Sequence, residues 1–262
     1  MFNFFKRLFK PKKLSSKTTG YIVSTKASAY KLKRAKTTKK IEVRKNQSLD
    51  HCPFAFTKFP RANTKGVYKL MHPVGAVVHY TSGNPDQRLA DAVAFQNKSG
   101  MTYFCIDASG SISQNFPLTS WGSHAGKSNW DGIGRSVSSS LVGIEVICAG
   151  KLSANGTPWF GNAPYPADKV RVIDKDKDNQ KAGTYYKFTE AQESSLIRLC
   201  HWLKSNNQVF DFDKVLGHDE VSGEAGLGYQ RKIDPGASLS MTMPQFRKLL
   251  TETYNDDSPR YS

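Results

Sequence analysis

The sequence predicts an α/β (α+β) fold: a central mixed β-sheet flanked by helices and preceded by a basic N-terminal arm. From about residue 66, short apolar runs that suit buried strands alternate with segments of helical periodicity. The positive charge is concentrated at the N-terminus. Residues 1–50 hold 15 of the 38 Lys and Arg against two acids, and so carry +13 of the total +16. We expect an arm over residues 1–60, a folded domain over 61–252 and a tail over 253–262.

The arm begins MFNFFKRLFKPKK. Its apolar run is too short and too interrupted by charge for a signal peptide or a membrane span, and no later stretch is long and apolar enough to span. Its mixture of Phe and cations suits contact with a membrane surface or an anionic cell-wall polymer, and a flexible solvated tail fits equally well. No base-reading motif for nucleic acid is present. A short strand is predicted within residues 21–30.

Three segments predict the first elements of the domain. Residues 75–81, GAVVHYT, form an apolar run that turns polar at its end, as a buried strand does. Asn84 and Pro85 then suit the N-cap and the first position of a helix, because Asn accepts a bond from a free amide and Pro has no amide hydrogen to satisfy. Residues 101–116 predict two strands about a turn at residues 108–110.

The middle of the domain holds its least regular segments. Residues 118–140 are rich in Gly and Ser, and a connection this long indicates a functional loop. Residues 141–150, LVGIEVICAG, predict the central strand of the sheet. Residues 151–187 are rich in Gly, Pro, Lys and Asp, which indicates an insertion.

The domain is expected to close with two helices and a strand. Residues 188–207 predict an amphipathic helix in which Thr189 is the N-cap and Gln192, three residues later, completes a capping box. A short strand follows and ends at His218. Residues 243–254, MPQFRKLLTETY, predict the last helix.

The four cysteines, Cys52, Cys105, Cys148 and Cys200, form no CxxC pair. Their spacing indicates neither a disulfide framework nor a zinc finger. Because Cys105 and Cys148 lie within apolar runs, we expect them to be small buried hydrophobic side chains.

Two histidines occupy positions from which strands commonly deliver ligands. His79 and His218 each end a short apolar strand, although for either one alone a structural role is the more common. Together with Asp234 they make two imidazoles and one carboxylate, a set that suits zinc with one coordination position left for water. The spacing of these residues leaves the geometry of such a site open. Surface positions are expected for His51 and His72, and a partly buried structural role for His201.

Glu145 interrupts the most apolar strand of the chain, between Ile144 and Val146. Strand alternation places its carboxylate on the face opposite these two neighbours. A carboxylate in a central strand costs stability unless it has a partner or a task. The task of a general base near a metal site is one explanation, and a solvated or ion-paired Glu is the other.

Six segments occur in one order along the chain: VVHYTSG, WGSHAG, GIEV, FTEAQ, GHDE and RKIDPG. In this combination they resemble the zinc-dependent N-acetylmuramoyl-L-alanine amidases, whose fold is shared with peptidoglycan recognition proteins and phage lysozyme-amidases. The resemblance spans roughly residues 66–250. It implies a mixed sheet flanked by helices, with zinc in an open groove.

The resemblance also implies a role for each matching residue. One Zn²⁺ per chain falls to His79, His218 and Asp234. Lys232 matches the lysine that stabilises the oxyanion, and Glu145 matches the glutamate that is the base in one branch of the family. Another branch uses a tyrosine at a position where this chain has Thr102, with Tyr103 as its neighbour, so the chain resembles the glutamate branch.

Three residues of the glycine-rich loop are candidates for contact with substrate. His124, in SHAG, matches a groove-lining histidine of the family, and a loop histidine bonded to backbone is the alternative. Trp121 and Trp130 flank it. Aromatic faces stack on sugar rings, which makes Trp121 a candidate substrate-binding residue, but both tryptophans would also serve as anchors of the loop.

The implied activity is zinc-dependent hydrolysis of the amide between N-acetylmuramic acid and L-alanine, acting on peptidoglycan or muropeptides. The alternatives are a non-catalytic peptidoglycan-binding module of the same fold, and an anionic-polymer binder driven by the arm. A phage-encoded lysin that passes from the host cytoplasm to the wall is the leading interpretation, and a bacterial cytoplasmic or cell-envelope amidase is the second. Residues 151–187 and 219–231 are longer than the family pattern and are expected to reshape the groove.

Overall fold

A computed structural model of the chain describes residues 22–23, 30–31, 51–56, 64–70, 73–99, 103–223 and 231–254. Most of the predicted arm and tail, together with His72 and Thr102, lies outside the described residues. The chain divides into two compact units, Met1–Ser48 with Tyr261–Ser262, and Leu49–Arg260. In the first unit, strand β1 (Ile22–Val23) pairs in antiparallel fashion with β2 (Tyr30–Lys31), which is where a short strand was predicted.

The strands and helices of the second unit alternate along the chain. Its strands are β3 (Gly66–Val67), β4 (Gly75–Tyr80), β5 (Phe104–Ile106), β6 (Ile112–Gln114), β7 (Ser120–Trp121), β8 (Asn129–Trp130), β9 (Gly134–Arg135), β10 (Leu141–Val146), β11 (Lys151–Leu152), β12 (Val170–Ile173), β13 (Gly183–Tyr186) and β14 (Val215–Gly217). Its α-helices within the described residues are α1 (Leu89–Ser99), α2 (Glu190–Asn206), the single turn α3 (His218–Val221) and α4 (Met243–Thr253).

The central sheet has the strand order β14–β4–β10–β5–β6. The first four strands are parallel, and β6 returns antiparallel to β5, so the sheet is mixed, as predicted. Strands β4 and β10 are buried along almost their whole length, which is why both are near-continuous apolar runs. Partial exposure is confined to Tyr80 and Glu145, at the carboxyl end of this parallel pair.

One predicted helix start is wrong. Asn84 does not cap a helix, because its side-chain oxygen accepts a hydrogen bond from the amide of Asp86, two residues on, at 3.0 Å. That bond makes an Asx turn with Pro85 inside it, and α1 begins only at Leu89. The local chemistry of Asn-Pro-Asp therefore favours a turn over the first turn of a helix.

The predicted insertion is a folded substructure. Strands β11, β13 and β12 form a three-stranded antiparallel sheet that begins directly after the end of β10. The hydroxyl of Tyr80 accepts a bond from the amide of Lys151 at 3.4 Å, and the ring of Tyr80 lies so close to Gly150 that a Cβ there would approach it to 2.3 Å. The small sheet is thus fixed against the end of β4.

The cysteines and His201 have the structural roles predicted for them. All four cysteines are buried and free. His201 is partly buried, its Nε2 lies 3.1 Å from the carbonyl oxygen of Leu250, and its ring packs on Phe212 and Tyr254. His51, expected at the surface, is half-buried. Among the described residues, no helix combines the length and apolarity that a membrane span requires.

Helix α2 starts at the capping box that the sequence predicted. The hydroxyl of Thr189 accepts from the amide of Gln192 at 3.1 Å, and the Gln192 side chain accepts from the amide of Thr189 at 2.9 Å. The same hydroxyl donates to the carbonyl of Ala108 in the β5–β6 turn at 2.8 Å. The cap therefore holds both the helix start and a neighbouring turn.

Thr189→Ala is predicted to lower the free energy of unfolding by about 1–2 kcal/mol, because it removes the cap and the bond to Ala108 together. Denaturant unfolding measures this. Thr251→Ala is the matched control, since the hydroxyl of Thr251 bonds only its own helix and is exposed. An equal change in both variants would contradict the role given to the cap.

Candidate active site

Three strands bring the candidate site together at their carboxyl ends. In the parallel register, Glu145 on β10 lies directly beside His79 on β4. On the other side, Gly217 pairs with Val78, so the next residue, His218, emerges beside His79. The register of the sheet therefore sets three side chains from distant parts of the sequence next to one another.

His79, His218 and Asp234 meet at one point. The Nδ1 atoms of the two histidines are 3.0 Å apart, and each lies 3.0 Å from Oδ2 of Asp234. All three residues are buried, with 2%, 5% and 7% of their surface exposed. These three atoms form the ligand set of a candidate metal site.

The other ring nitrogen of His79, Nε2, is hydrogen-bonded to a third histidine, His124. Nε2 of His124 lies 2.9 Å from the carbonyl oxygen of Leu141, which can only accept, so this nitrogen carries the proton. Burial lowers the pKa of His124 well below its usual value, so the ring is neutral and its Nδ1 is an acceptor. Nδ1 of His124 lies 3.0 Å from Nε2 of His79, which must therefore be the donor.

This chain of bonds fixes the tautomer of His79. Burial, and next the neighbouring His218, lower the pKa of His79 to about 4, so its ring is neutral near pH 7. With the proton on Nε2, the lone pair of Nδ1 points at the shared position. His218 is held in the same way, because its Nε2 lies 3.2 Å from the carbonyl oxygen of Ala125 and donates to it.

Two imidazole nitrogens and a carboxylate oxygen thus face one another at 3.0 Å. Burial alone would raise the pKa of Asp234, but contacts with His218 and His79 outweigh it and lower that pKa, so the carboxylate is ionised. With both nitrogens deprotonated, as metal ligands are, these three atoms repel one another unless a cation lies between them. Tetrahedral zinc with bonds of about 2.0–2.1 Å separates its ligands by about 3.3 Å, which these atoms meet within a few tenths of an ångström.

Asp234 is positioned by the residue that follows His218. The amide of Asp219 donates to the carbonyl of Asp234 at 2.8 Å. The Oδ2 of Asp219 accepts from the amide of Gly236 at 3.2 Å and from the side chain of Asn179, in the insertion, at 2.7 Å. One buried carboxylate therefore joins both ligand-bearing segments to the inserted sheet.

Glu145 is a partly buried carboxylate near this centre. Its Oε2 is buried and has no hydrogen-bond partner among the residues described. Burial and, next, the charge of Asp234 raise the pKa of Glu145, Lys232 opposes both, and the net result is a pKa of about 8. The side chain therefore accepts and releases a proton close to neutral pH, which an ordinary Glu does not do.

The two cations of RKIDPG have different surroundings. The guanidinium of Arg231 donates to the carbonyls of Ala125 and Lys127 at 3.1 and 2.8 Å, so it holds the SHAG loop. Lys232 is half-buried, its amide donates to the hydroxyl of Ser222 at 3.1 Å, and within the described part of the chain its ammonium makes no ion pair. Its positive charge lowers the pKa of both Glu145 and His79.

The remaining candidates lie around the loop. His124, predicted to contact substrate, is 8% exposed and has both ring nitrogens on protein atoms; its substrate role stays a prediction. Trp121 lies half-buried in β7, paired with β3, and its substrate role also stays a prediction.

Trp130 packs against the buried cluster that includes Val77 and Leu141, as an anchor of the loop would. Tyr103 is fully buried in the core.

Sequence reasoning missed the groups that orient the ligands. The carbonyls of Ala125 and Leu141 carry no side-chain signal at all. The glycine at position 143, in GIEV, was a visible sequence signal. A Cβ at this position would lie 2.7 Å from Cγ of His124, so only glycine leaves room for the His124 ring. Asp219 stood beside His218 in GHDE, but its link to Asn179 spans 40 positions and is not visible in the sequence.

Comparison with known proteins identifies a family. Residues 69–237 match the sequence model of a family described as N-acetylmuramoyl-L-alanine amidase. Among curated proteins, none matches the chain.

Several solved structures are similar to this chain at low identity. AmpD is 17% identical, with a TM-score of 0.46 over 76% of this chain and 96% of AmpD. AmiD from E. coli, solved with anhydro-N-acetylmuramic acid-L-Ala-D-gamma-Glu-L-Lys, is 20% identical, with a TM-score of 0.47 over 74% of this chain and 61% of AmiD. The endolysin LysCS from Clostridium intestinale is 15% identical, with a TM-score of 0.41 over 75% and 99%.

Glu145→Gln is predicted to stabilise the metal-free protein in a pH-dependent way. The pKa of this group is about 8 in the folded state against 4.5 ordinarily, so between these values only the folded chain keeps the proton. The free energy of unfolding of the parent therefore falls as pH rises through this window, and Gln removes that fall. The variant should match the parent near pH 4 and exceed it by on the order of a few kcal/mol near pH 9.

Denaturant unfolding of chelator-treated protein at both pH values measures the difference. Glu252→Gln is the control, because Glu252 is an exposed residue of α4. Parallel pH profiles for parent and Glu145→Gln would show that the carboxylate carries no burial cost.

Proposed function

This chain belongs to the N-acetylmuramoyl-L-alanine amidase family, and we propose that it hydrolyses, with zinc, the amide that joins the lactyl group of N-acetylmuramic acid to L-alanine in peptidoglycan or muropeptides. The observation that carries the proposal is the convergence of His79 Nδ1, His218 Nδ1 and Asp234 Oδ2 at 3.0 Å from one another. The matched residues 69–237 include all three.

The donor set favours zinc over other common ions. Two neutral imidazoles and one carboxylate suit Zn²⁺, whereas Mg²⁺ and Ca²⁺ prefer oxygen ligands throughout. When bound, zinc supplies a Lewis acid that makes water nucleophilic near neutral pH and polarises a carbonyl oxygen. The chain's own contribution is to hold the ring of His79 by the bond of its Nε2 to His124 and the ring of His218 by the bond of its Nε2 to the carbonyl of Ala125, which leaves both Nδ1 atoms directed at the shared position.

Glu145 is proposed as the general base and then the general acid. It lies beside His79 across the sheet, and its free carboxylate oxygen has no competing partner among the described residues. It would take a proton from the attacking water and give it to the leaving nitrogen of L-alanine. Its raised pKa suits both steps, because a group that titrates near the working pH exchanges its proton easily in either direction.

Lys232 is proposed to stabilise the oxyanion of the tetrahedral intermediate. Its ammonium is not committed to an ion pair in the described part of the chain, and it lies near enough to lower the pKa of Glu145. A fixed cation beside a carbonyl oxygen stabilises the negative charge that develops only in the transition state. A binding module without catalysis would have no use for this cation or for a partly buried Glu145 whose Oε2 has no partner among the described residues, which favours hydrolysis.

Four expectations remain predictions. They are substrate contact by His124 and Trp121, contact of the basic arm with an anionic polymer or membrane surface, a role for residues 219–231 in shaping the groove, and action as a phage lysin in preference to a bacterial amidase.

Metal removal is predicted to abolish activity. Purified protein should hold about one zinc per chain by elemental analysis, and a chelator should stop the release of L-alanine amino groups from peptidoglycan. Added Zn²⁺ should restore release, and Mg²⁺ should not. His79→Ala should lose the zinc, whereas His201→Gln should keep it, because His201 lies in the α2–α4 packing. Full activity without metal would refute the zinc site, and zinc without hydrolysis would favour the binding module.

Loss of the proposed base or of the oxyanion cation is predicted to lower kcat while zinc content is unchanged. Glu145→Gln should reduce kcat by about 10²–10⁴-fold and Lys232→Met by about 10²–10³-fold, since each removes a transition-state contact. Glu252→Gln and Lys248→Met are the controls, because they form an exposed pair on α4. A rise in KM alone, with kcat retained, would assign either residue to binding instead of chemistry.

A further inference from the structure

The insertion presents an unusual pair of aromatic side chains. In the loop between β11 and β12, Trp159 is 77% exposed and Phe160 is 38% exposed. Their ring centroids are 5.5 Å apart and their planes are perpendicular, so they form one edge-to-face unit. A large aromatic side chain this exposed has no role in the core.

The exposed indole is nevertheless held in place. Nε1 of Trp159 donates to the carbonyl of Ser82 at 2.7 Å. The loop that carries it is tied by backbone bonds from Tyr165 to Gly156 at 3.0 Å and from Gly161 to Pro158 at 3.2 Å. The ring therefore offers a flat apolar surface to solvent at a fixed position, and a ligand that covers it does not have to order it first.

The hydrogen bond to Ser82 places the Trp159 ring near the candidate centre. Ser82 lies three residues beyond His79 on the same chain segment, so at most about 10 Å separates their Cα atoms. The junction is tight, because Tyr80, between them, packs on Gly150 and accepts a bond from Lys151. Trp159 thus lies at the edge of the sheet to which His79, His218 and Glu145 are delivered.

We propose that Trp159, with Phe160 beside it, is a sugar-stacking subsite that binds the glycan part of the substrate while its lactyl amide lies at the candidate centre. This inference rests on the proposed function. A pyranose ring presents C–H groups on one face, and these pack favourably on the electron-rich face of an indole. Ser82, which holds Trp159, is at most about 10 Å from His79 between Cα atoms, a length on the scale of a disaccharide, so the subsite would contact the sugars attached to the scissile amide.

The test compares two substrates with the same stem peptide. One is the disaccharide N-acetylglucosaminyl-N-acetylmuramoyl-peptide, and the other is the lactyl-peptide that lacks both sugars. Trp159→Ala should raise KM for the sugar-bearing substrate about 3–10-fold and leave its kcat unchanged. The same variant should not change either constant for the lactyl-peptide.

Two further variants keep the result interpretable. Trp159→Phe retains a ring face but loses the bond to Ser82, so its effect should be smaller than that of Trp159→Ala; it also serves if the alanine variant does not fold. Phe95→Ala, at an exposed aromatic position on α1, should change neither substrate. Equal losses on both substrates would assign Trp159 to the peptide or to loop structure, and no loss on either would also overturn the subsite.

Failure of the proposed function has a different signature. If the zinc-loaded parent cleaves neither substrate, the amidase proposal fails, and calorimetry then judges the subsite alone. In that experiment the sugar-bearing compound is titrated into Glu145→Gln and into Glu145→Gln with Trp159→Ala. Binding weakened about 3–10-fold in the double variant supports the subsite, and equal binding overturns it.

Discussion

The structure is organised around three candidate ligand atoms that meet at one position. Two imidazole nitrogens and a carboxylate oxygen stand 3.0 Å apart in a buried setting, and when both nitrogens are deprotonated they repel the carboxylate unless a cation occupies the centre. Each of these groups has more than one orientation or protonation state open to it in water. Much of the surrounding architecture serves to remove those alternatives, and this constraint explains features that look unrelated in the sequence.

The SHAG loop orients both histidines. Nδ1 of His124 accepts a hydrogen bond from Nε2 of His79, and the carbonyl of Ala125 accepts one from Nε2 of His218. The loop is itself held from two sides, since the hydroxyl of Ser138 accepts from the amides of His124 and Ala125, and Arg231 donates to the Ala125 carbonyl. Arg231, which lies between His218 and Asp234 in the sequence, thus stabilises the loop residues that orient the rings of His79 and His218.

Stability and the proposed chemistry compete at Glu145. Its neighbours Ile144 and Val146 are fully buried on the opposite face of the strand, and the partly buried Glu145 has one carboxylate oxygen without a partner in the described structure. The same burial that makes it costly raises its pKa towards the range in which a base and an acid are equally available. The buried strands of the five-stranded mixed sheet supply the stability that tolerates such a residue.

The sequence by itself determined the elements whose causes are local. Apolar runs predicted β4 and β10, and the Thr189–Gln192 pair predicted the start of α2. The helix start at Asn84 failed, because the same side chain also makes an Asx turn, and only the surrounding chain decides between them. The three residues of the candidate metal site were predicted from residue type and motif, but their 3.0 Å spacing was not. Tertiary structure alone decided that spacing, since strand register joins His79 to a partner 139 residues away. Tertiary structure also decided the positions of His124 beside His79 and of Trp159 beside Ser82. Each is held by a hydrogen bond to a backbone carbonyl, and any residue type can supply such an acceptor, so the sequence does not reveal it.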